Sequence, residues 1–331
     1  MSEAQMKKRR NQTAQPGQRS SRARAANDPG PAPVVKPSGN AGGTIVYQGE
    51  AGANSHIACR DQFPEMEAVG CATFEDTLGA VREGRAACAM IPVENSVAGR
   101  VADVHHLLPD SGLQIIGEHF ERISHQLLAL PGARLEDLRT VHSHIQALGQ
   151  CRQVIQDLGL EPVTQADTAG SARMIARDGD ITQAAIASAL AAEVHGLQIM
   201  RSDIQDASHN TTRFLVLARE PMPVPAGNGP VITSFVFRVR NVPAALYKAL
   251  GGFATNGVNM TKLESYQLEG SFFATMFYAD IEGHPDERRV QLALEELHFF
   301  SSKVTFLGTY PESPLRGRLA EEANGRMGEG E

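Results

Sequence analysis

The residues with the clearest chemical potential form a short run about two-thirds of the way along the chain. Asn210, Thr212, Arg213 and Phe214 stand just before the apolar stretch Leu215-Val216-Leu217-Ala218. The run combines a hydroxyl that can donate a hydrogen bond or a proton, a guanidinium that can hold a carboxylate through two contacts, and an aromatic ring. Threonine and phenylalanine are also ordinary strand residues, so the pattern is compatible with a purely structural strand start.

Three predicted strand-to-helix corners elsewhere carry hydroxyl groups and backbone amides. At a helix N-terminus such groups form a natural receptor for a carboxylate. The corners are Glu94-Asn95-Ser96, Ser143-His144 and Asp167-Thr168-Ala169-Gly170-Ser171. Each corner is also explained by ordinary helix capping. Together with the Thr212-Arg213 pair, they predict a ligand-binding cleft.

The elements around these residues alternate between short apolar strands and amphipathic helices. Thr44–Tyr47 and Ala87–Val93 have the composition of buried strands, and a helix is predicted after Thr73, with Asp76 completing a variant of the capping box. This alternation indicates an α/β fold with a parallel or mixed sheet covered by helices. Ligands in such folds collect at the carboxyl ends of strands, where the polar corners lie.

Four motifs, in order along the chain, resemble those of the prephenate dehydratase family. They are Gly49-x-x-Gly52 with Ser55, Ile91-Pro92-Val93-Glu94-Asn95-Ser96-x-x-Gly99, Val141-His142-Ser143-His144-x-Gln146-Ala147, and Asn210-x-Thr212-Arg213-Phe214. The resemblance covers most of residues 44–220 and implies a two-lobed catalytic domain like that of periplasmic binding proteins. In the first motif, Glu50 and Ala53 stand where many members have proline and threonine.

The resemblance implies an enzyme that removes carbon dioxide and water from prephenate to give phenylpyruvate, with no metal or organic cofactor. Thr212 is the residue expected to assist departure of the hydroxyl, as a positioned hydrogen-bond donor. The expected substrate-binding residues are Asn95, Ser96, Ser143, Thr168, Asn210, Arg213 and Phe214. Arg213 would hold a carboxylate, or alternatively pair with a structural Asp or Glu, and Phe214 would wall the ring. Arogenate as the substrate and a non-catalytic solute-binding protein are the alternatives.

The C-terminal part follows a linker rich in Pro and Gly, residues 221–229. Its predicted elements are strands at 231–240, 258–267, 271–281 and 304–308, and helices at 243–255 and 285–300. This βαββαβ order is that of a ferredoxin-like unit. Asn256-Gly257-Val258-Asn259 and the segment that follows to Ser265 resemble an ACT regulatory domain.

Resemblance to an ACT domain implies an amino-acid effector, with L-phenylalanine expected as a feedback inhibitor, and a homo-oligomer, either a dimer or a tetramer. The expected effector-binding residues are Ala245, Leu246, Asn256, Asn259, Glu264 and Ser265. Tyr266 and Gln267 replace the Arg-Pro of phenylalanine-regulated members, so another effector or a purely structural, dimer-forming role are the competing interpretations. One hypothetical route to the catalytic domain is a pull on Leu215–Ala218 through the short linker.

The first 43 residues differ in composition from the rest. They are basic and rich in Pro, Gly, Ser and Gln, with Glu3 and Asp28 as the only acidic residues, which predicts a disordered tail. A transit peptide or a nucleic-acid contact are alternative interpretations of this tail. The predicted domains are accordingly a catalytic domain at 44–220, an ACT domain at 230–311 and a flexible C-terminal tail at 312–331.

The remaining composition narrows the class of protein. The net charge is −7 in spite of the basic tail, which argues against nucleic acid as the main partner. No stretch approaches the roughly 18 apolar residues of a membrane-spanning helix, so no membrane partner is expected. Four scattered cysteines without a CxxC pair fit a reducing compartment, and the predicted location is cytoplasmic.

Overall fold

A computed structural model of the chain describes residues 43–207, 209–227, 229–240, 242–267 and 274–318. All of them belong to one compact unit, Pro33–Glu331. The predicted basic tail, apart from Gly43, lies outside the described residues, as do residues 271–273 of the strand predicted at 271–281 and most of the predicted C-terminal tail. Within the described ranges, no helix is both long enough and apolar enough to cross a bilayer.

The first lobe is built on a six-stranded mixed sheet. Its elements are β1 (Thr44–Gln48), α1 (Asn54–Gln62), β2 (Glu67–Cys71), α2 (Phe74–Arg82), β3 (Cys88–Asn95), β4 (Gly99–Arg100), α3 (Ala102–Leu107) and β5 (Gln114–Arg122). A late strand, β11 (Thr211–Ala218), completes the sheet, whose order is β2-β1-β3-β11-β5 with β4 paired to β3. Strand β11 runs antiparallel between β3 and β5.

The second lobe is a five-stranded sheet of order β10-β6-β9-β7-β8. Its elements are β6 (Gln126–Ala129), β7 (Thr140–His144), α4 (Ile145–Gln150), α5 (Arg152–Asp157), β8 (Glu161–Gln165), α6 (Thr168–Asp178), β9 (Gln183–Ala187), α7 (Ala189–His195) and β10 (Gln198–Arg201). The chain enters this lobe after β5 and leaves it before β11 (Thr211–Ala218). Two crossover segments thus join the lobes.

The C-terminal region is a four-stranded antiparallel sheet of order β13-β14-β12-β15 with two helices. Its elements are β12 (Val231–Val239), α8 (Ala245–Thr255), β13 (Met260–Gln267), β14 (Ala274–Glu282), α9 (Arg288–Phe300) and β15 (Ser301–Pro311). The helices pack together on one face of the sheet around Phe235, Phe253 and Leu297. The other face of this sheet packs against the first lobe.

The first lobe and the C-terminal sheet share one hydrophobic core. Ile91 and Leu215 of the first lobe pack in the same buried cluster as Tyr278 and Leu307 of the C-terminal sheet. The approach is close, because a Cβ at Gly308 would lie 2.1 Å from the carbonyl oxygen of Ile115 on β5. The C-terminal region is therefore docked face to face on the catalytic sheet, and the linker is not its only connection.

Local sequence explains where several helices begin and end. Thr73 Oγ1 accepts a hydrogen bond of 3.0 Å from the Asp76 amide, which confirms the predicted capped start of α2. Asp167 caps α6, and Gly179 ends it in the left-handed conformation, with φ of 71°. Helix α8 begins at Ala245, after the predicted start at Pro243, because Ala244 adopts a left-handed conformation.

The predicted α/β fold, with a two-lobed domain followed by a βαββαβ unit, is confirmed. Two boundaries need correction. The last strand extends over residues 301–311, because it pairs with β12 along its whole length. The second boundary is at residue 312: within the tail predicted to be flexible, Arg316 contacts the first lobe, where it lies 2.7 Å from the buried Glu118.

Candidate active site

A cavity of about 240 Å³ lies between the two lobes. The first lobe lines it with Gln48, Gly49, Ala53, Asn54, Ser55, Pro92, Asn95, Ala98, Val101, Thr212 and Phe214. The second lobe and the first crossover add Ile123, His125, His144, Gln146, Ala147, Gln150, Asp167 and Thr168. Four of the predicted site residues, Asn95, Thr168, Thr212 and Phe214, therefore meet here.

The pairing of β3 with β11 places Asn95 directly opposite Thr212. The Asn95 side-chain oxygen accepts hydrogen bonds from the amides of Val97 and Ala98, at 3.0 and 2.8 Å. Its Nδ2 group donates to Thr212 Oγ1 at 2.9 Å. Because Asn95 fills an acceptor position of the hydroxyl, the Thr212 proton is available for donation to a ligand in the cavity.

The same amide begins a polar network that joins the two lobes. Asn95 Nδ2 also donates to Asn210 Oδ1 at 2.7 Å, and Asn210 Nδ2 donates to Gln150 Oε1 at 2.9 Å. His125 Nε2 lies 2.9 Å from the same Gln150 oxygen, which can only accept, so this nitrogen carries the proton. Burial lowers the pKa of His125, against the opposing effect of this hydrogen bond. His125 is therefore neutral at neutral pH.

Helix N-termini supply the positive electrostatic potential of the cavity. Helix α1 begins at Asn54 and its N-cap, Ala53, has no side chain able to bond the first amides. Its end, with Asn54 and Ser55, faces the cavity. The N-terminus of helix α6 also faces the cavity. Its first amides are partly satisfied, because Asp167 Oδ1 accepts from the Gly170 amide at 2.6 Å. Helix α1 is thus the more open receptor for a carboxylate.

Apolar side chains form the remaining wall. Phe214 is almost fully buried, and Pro92, Val101 and Ile123 join it in lining the cavity. Among the residues that the structure describes, no lysine or arginine lines the cavity, and the lining groups that could hold an anionic ligand are helix N-termini, backbone amides and neutral donors. A planar ring with short polar substituents fits this arrangement.

Arg213, predicted to contact the substrate, does not belong to the cavity lining. Successive strand residues point to opposite faces, so Arg213 is directed away from the side that Thr212 and Phe214 share. Its side chain is only 3% exposed and forms ion pairs with Glu118 at 2.9 Å, Asp280 at 2.7 Å and Glu94 at 3.1 Å. The structural pairing considered as the alternative is the one observed.

Three further predicted ligands, Ser96, Ser143 and Asn210, are not among the residues that line the cavity. The Ser143 hydroxyl is fully buried and donates to the Ile186 carbonyl at 2.6 Å. Ser96 Oγ donates to the His209 carbonyl at 2.6 Å and accepts from the Thr211 amide at 2.9 Å. Both serines therefore fasten backbone segments, and their role as substrate ligands stays a prediction. Asn210 accepts a hydrogen bond from Asn95 Nδ2 and thereby helps to hold the Asn95 side chain in place.

Several lining residues were absent from the predicted set, among them Gln48, Ser55, His125, Gln150 and Asp167. A signal for Gln150 was present in the sequence, because Gln146 and Gln150 are four residues apart and share one face of α4. His125 offered no such signal, since it lies in a crossover segment whose approach to Gln150 depends on the tertiary fold.

Comparison with known proteins settles the family. The profile of prephenate dehydratase matches residues 45–222. The chain belongs to the prephenate dehydratase family. A bifunctional N-acyl-homoserine lactone acylase/prephenate dehydratase of Komagataeibacter europaeus is 52% identical over 272 residues, which are 82% of this chain and 97% of that protein.

Other relatives extend the match beyond the catalytic lobes. Arogenate dehydratase/prephenate dehydratase 1 of Arabidopsis thaliana is 38% identical, over 82% of this chain and 73% of the plant protein. The crystal structure of a prephenate dehydratase from Arthrobacter aurescens in complex with L-Phe aligns with a TM-score of 0.75 and 29% identity, over 87% of this chain and 100% of that one. As a member of this family, the dehydratase described here is a hydro-lyase.

The predicted effector-binding residues of this dehydratase lie at three places in the C-terminal region. Ala245 and Leu246 begin α8, whereas Asn256 and Asn259 follow its end, about 15 Å away by the helical rise. On β13, Glu264 lies 3.1 Å from Lys262, and the Ser265 carbonyl accepts from Arg100 of β4 at 3.2 Å. Their role in effector binding stays a prediction.

Proposed function

We propose that this protein is a prephenate dehydratase that converts prephenate to phenylpyruvate in L-phenylalanine biosynthesis. The observation that carries the proposal is the Thr212 hydroxyl, which accepts from Asn95 at 2.9 Å and is thereby oriented as a donor into the interlobe cavity. It lies opposite helix ends that suit a carboxylate, and beside the Phe214 ring. Each feature matches one part of a cyclohexadiene dianion.

The proposed reaction is a coupled elimination. The bond from the ring to its carboxylate breaks, its electron pair moves through the diene, and the C4–O bond breaks as the ring becomes aromatic. Carbon dioxide and hydroxide leave, and one proton per turnover converts the hydroxide to water. Thr212 assists by hydrogen bonding to the departing oxygen, since charge develops there and a preorganised donor stabilises it. Aromatisation supplies the driving force, and solvent supplies the net proton.

The remaining cavity groups would bind and orient the substrate. The open N-terminus of α1, with Ser55, would receive a carboxylate, and Thr168 with the first turn of α6 offers a second polar position. Gln150 accepts hydrogen bonds from His125 and from Asn210, and Asn210 in turn accepts from Asn95. Fixing these groups before the substrate arrives lowers the cost of aligning them in the transition state.

The test is conversion of prephenate by the purified protein, followed through the appearance of phenylpyruvate. We expect Thr212→Val to lower kcat by roughly 100- to 1,000-fold, the loss that one preorganised donor produces elsewhere. Thr212→Ser should retain much of the activity. Thr211→Val is the matched control, because Thr211 is the adjacent strand residue and does not line the cavity. No product from prephenate or arogenate would refute the proposal.

We further propose that the βαββαβ region is an ACT domain that binds L-phenylalanine in a homo-oligomer. The support is the Arthrobacter structure named as an L-Phe complex and the wide alignment with it. The two groups of predicted effector residues at opposite ends of α8 fit a ligand shared between two chains. Isothermal titration with L-phenylalanine, together with sedimentation of the protein, tests both parts.

Arogenate is the alternative substrate, and the names of the plant relatives favour testing it. The Komagataeibacter relative adds N-acyl-homoserine lactone as a third compound for the assay. A cavity of about 240 Å³ is below the roughly 300–1,000 Å³ typical of sites for larger ligands. It suits a single ring with short substituents better than a long acyl chain.

A further inference from the structure

A salt bridge lies directly behind the pair of residues that faces the cavity. Arg213 follows Thr212 on β11, and Glu94 precedes Asn95 on β3. Because strand side chains alternate, these two charged residues share the opposite face of the sheet. Arg213 Nη1 lies 3.1 Å from Glu94 Oε1. The hydrogen-bonded pair at the cavity is thus backed by an ion pair one position away on each strand.

Both members of this ion pair are also held by the C-terminal region. Arg213 Nη1 donates to Asp280 Oδ2 on β14 at 2.7 Å, and Arg213 Nη2 donates to the Tyr310 hydroxyl on β15 at 3.0 Å. Lys262 on β13 donates to Glu94 through a short hydrogen bond. Asp280 is fully buried, so its bond with Arg213 is shielded from solvent.

The surrounding charges balance. Arg213 also donates to Glu118 on β5 at 2.9 Å, and Arg316 approaches Glu118 at 2.7 Å and Asp280 at 3.8 Å. Lys262 pairs with both Glu94 and Glu264, and Arg100 lies 3.9 Å from Glu264, so four cations face four carboxylates. Removing one partner of a buried ion pair leaves the other charge uncompensated, which is costly. The cluster thus favours one arrangement of the strands that carry it.

The strands are irregular at this position. Thr212 pairs with Asn95 and Arg213 with Glu94, but the next pairing joins Phe214 to Pro92, so one residue of β3 is skipped. Such a bulge interrupts the ladder and redirects side chains, and Pro92 has no amide hydrogen to contribute. The ladder alone therefore fixes the catalytic register weakly. The Arg213–Glu94 ion pair lies where additional fixation is needed.

We propose that Arg213 and Glu94 are positioning residues for Thr212 and Asn95, and that the C-terminal region holds them in place through Asp280 and Lys262. The inference rests on the dehydratase chemistry proposed for Thr212. A displacement of β13 or β14 relative to the first lobe turns the ends of β3 and β11 and misaligns the hydroxyl with the departing oxygen. Binding of the substrate depends on other groups and changes little.

The test uses two conservative variants that lie outside the cavity, Lys262→Gln and Asp280→Asn. We expect kcat with prephenate to fall roughly 10- to 100-fold, since misplacement by about 1 Å can cost a factor of 100, while KM stays within about twofold. Arg289→Gln is the matched control, because it removes an exposed cation of the same region that pairs with Glu287. An unchanged kcat in both variants, or a change in KM alone, would overturn the proposal.

A second measurement needs no substrate. Hydrogen exchange of the peptide that covers Thr211–Ala218 should be faster in Lys262→Gln than in the wild type, and unchanged in Arg289→Gln. Lys262 is the safer variant for folding, because its side chain is 15% exposed whereas Asp280 has none of its surface exposed. If the wild type converts no substrate, the proposed function is refuted, and the exchange measurement still tests the positioning role. Unchanged exchange in Lys262→Gln would then overturn the positioning role separately.

Discussion

Arg173 of the second lobe binds Glu50 of the first, with its Nη2 2.8 Å from Glu50 Oε1, although the residues are 123 positions apart. Glu50 lies in the loop after β1 of the first lobe, and Arg173 lies on α6 of the second. Ser188 Oγ adds a hydrogen bond of 2.5 Å to the Gly52 carbonyl in the same loop. These contacts hold the lobes closed along one edge, and Glu50 occupies a position at which many family members have proline.

The first prediction concerns this cross-lobe contact. Glu50→Gln should raise KM about threefold to tenfold and leave kcat within about twofold, because the variant weakens closure around the substrate and leaves the Thr212 hydroxyl in place. Arg173→Gln should behave alike, and the double variant should be no worse than either single one. Steady-state kinetics measure this, with Glu83→Gln, which breaks an exposed ion pair within the first lobe, as the control. Additive losses in the double variant would contradict a shared role.

Thermal stability should respond little to the same changes. Glu50 and Arg173 are 35% and 52% exposed, and exposed ion pairs contribute little to folding. The Arg173 hydrogen bond lowers the pKa of Glu50, so the contact persists at neutral pH. A melting temperature close to that of the wild type would separate an effect on closure from an effect on folding.

The second prediction concerns the choice between prephenate and arogenate. Asp167 is the only carboxylate in the cavity lining described here, and it lies near the α6 terminus. Arogenate carries an ammonium group where prephenate has a keto group, so a carboxylate nearby favours arogenate. Asp167→Asn keeps an oxygen to accept from the Gly170 amide, and should therefore preserve the cap. We expect kcat/KM to fall about tenfold more for arogenate than for prephenate, a difference of about 1.4 kcal/mol.

Competition between the two substrates in one reaction measures this ratio directly. Asp76→Asn is a suitable control, because Asp76 is an acidic residue in the first turn of α2 and does not line the cavity. Equal losses for both substrates would assign Asp167 to capping alone, and a larger loss for prephenate would reverse the proposed preference.

Sequence periodicity predicted the strand that carries Thr212, but it did not predict the residues that form ion pairs with Arg213. Apolar composition predicted β11, and alternation places Thr212 and Phe214 on one face. The same alternation could have assigned Arg213 to the opposite face. Its partners Glu118 and Asp280 could not be found in this way, because they are 95 and 67 positions away and meet Arg213 only when the C-terminal sheet docks. Local sequence patterns predict to which face of the sheet a side chain points, whereas its ion-pair partners depend on how the C-terminal sheet docks.

The third prediction concerns acid stability of the ion cluster. Burial is the largest single influence and would raise the pKa of Asp280. The charges of Arg213 and Arg316 and the hydrogen bonds from Ser234 and Tyr278 together outweigh burial, so the pKa lies below its ordinary 3.8. The same balance, with Arg213 and Lys262 as the cations, places the pKa of Glu94 below its ordinary 4.5. The unfolded chain therefore binds these protons more readily. The stabilisation is fully present above those ordinary values and is lost as pH falls through the lowered ones.

Calorimetry between about pH 6 and pH 3 measures this loss through the melting temperature. The wild type should show a steep decline below about pH 4.5, and Glu94→Gln should show a shallower one, because one titrating group has been removed. Ser234, Tyr278, Tyr310 and Arg316 also face Asp280 and are unchanged in that variant. Parallel pH dependence of the wild type and the variant would show that Glu94 does not contribute.

The fourth prediction concerns the route from the C-terminal region to the active site. Tyr266 Oη donates to His105 Nδ1 at 2.8 Å, and His105 Nε2 donates to the Val93 carbonyl at 3.2 Å. Val93 is two residues from Asn95 on β3, and Tyr266 follows the predicted effector residues Glu264 and Ser265. Burial lowers the pKa of His105, so the ring is neutral and the bond direction is defined. This contact offers a path that does not use the linker.

We therefore expect L-phenylalanine inhibition to survive a longer linker but to change when this contact is cut. Three glycines inserted after Pro225 should leave the inhibition midpoint within about twofold, because the docked face of the sheet, rather than chain tension, carries the signal. Tyr266→Phe should shift the midpoint by roughly fivefold or more, within the usual range of coupling energies. Tyr247→Phe, at a tyrosine that is 79% exposed, is the control. Loss of inhibition in the glycine insertion, with the oligomer intact, would restore the linker as the route.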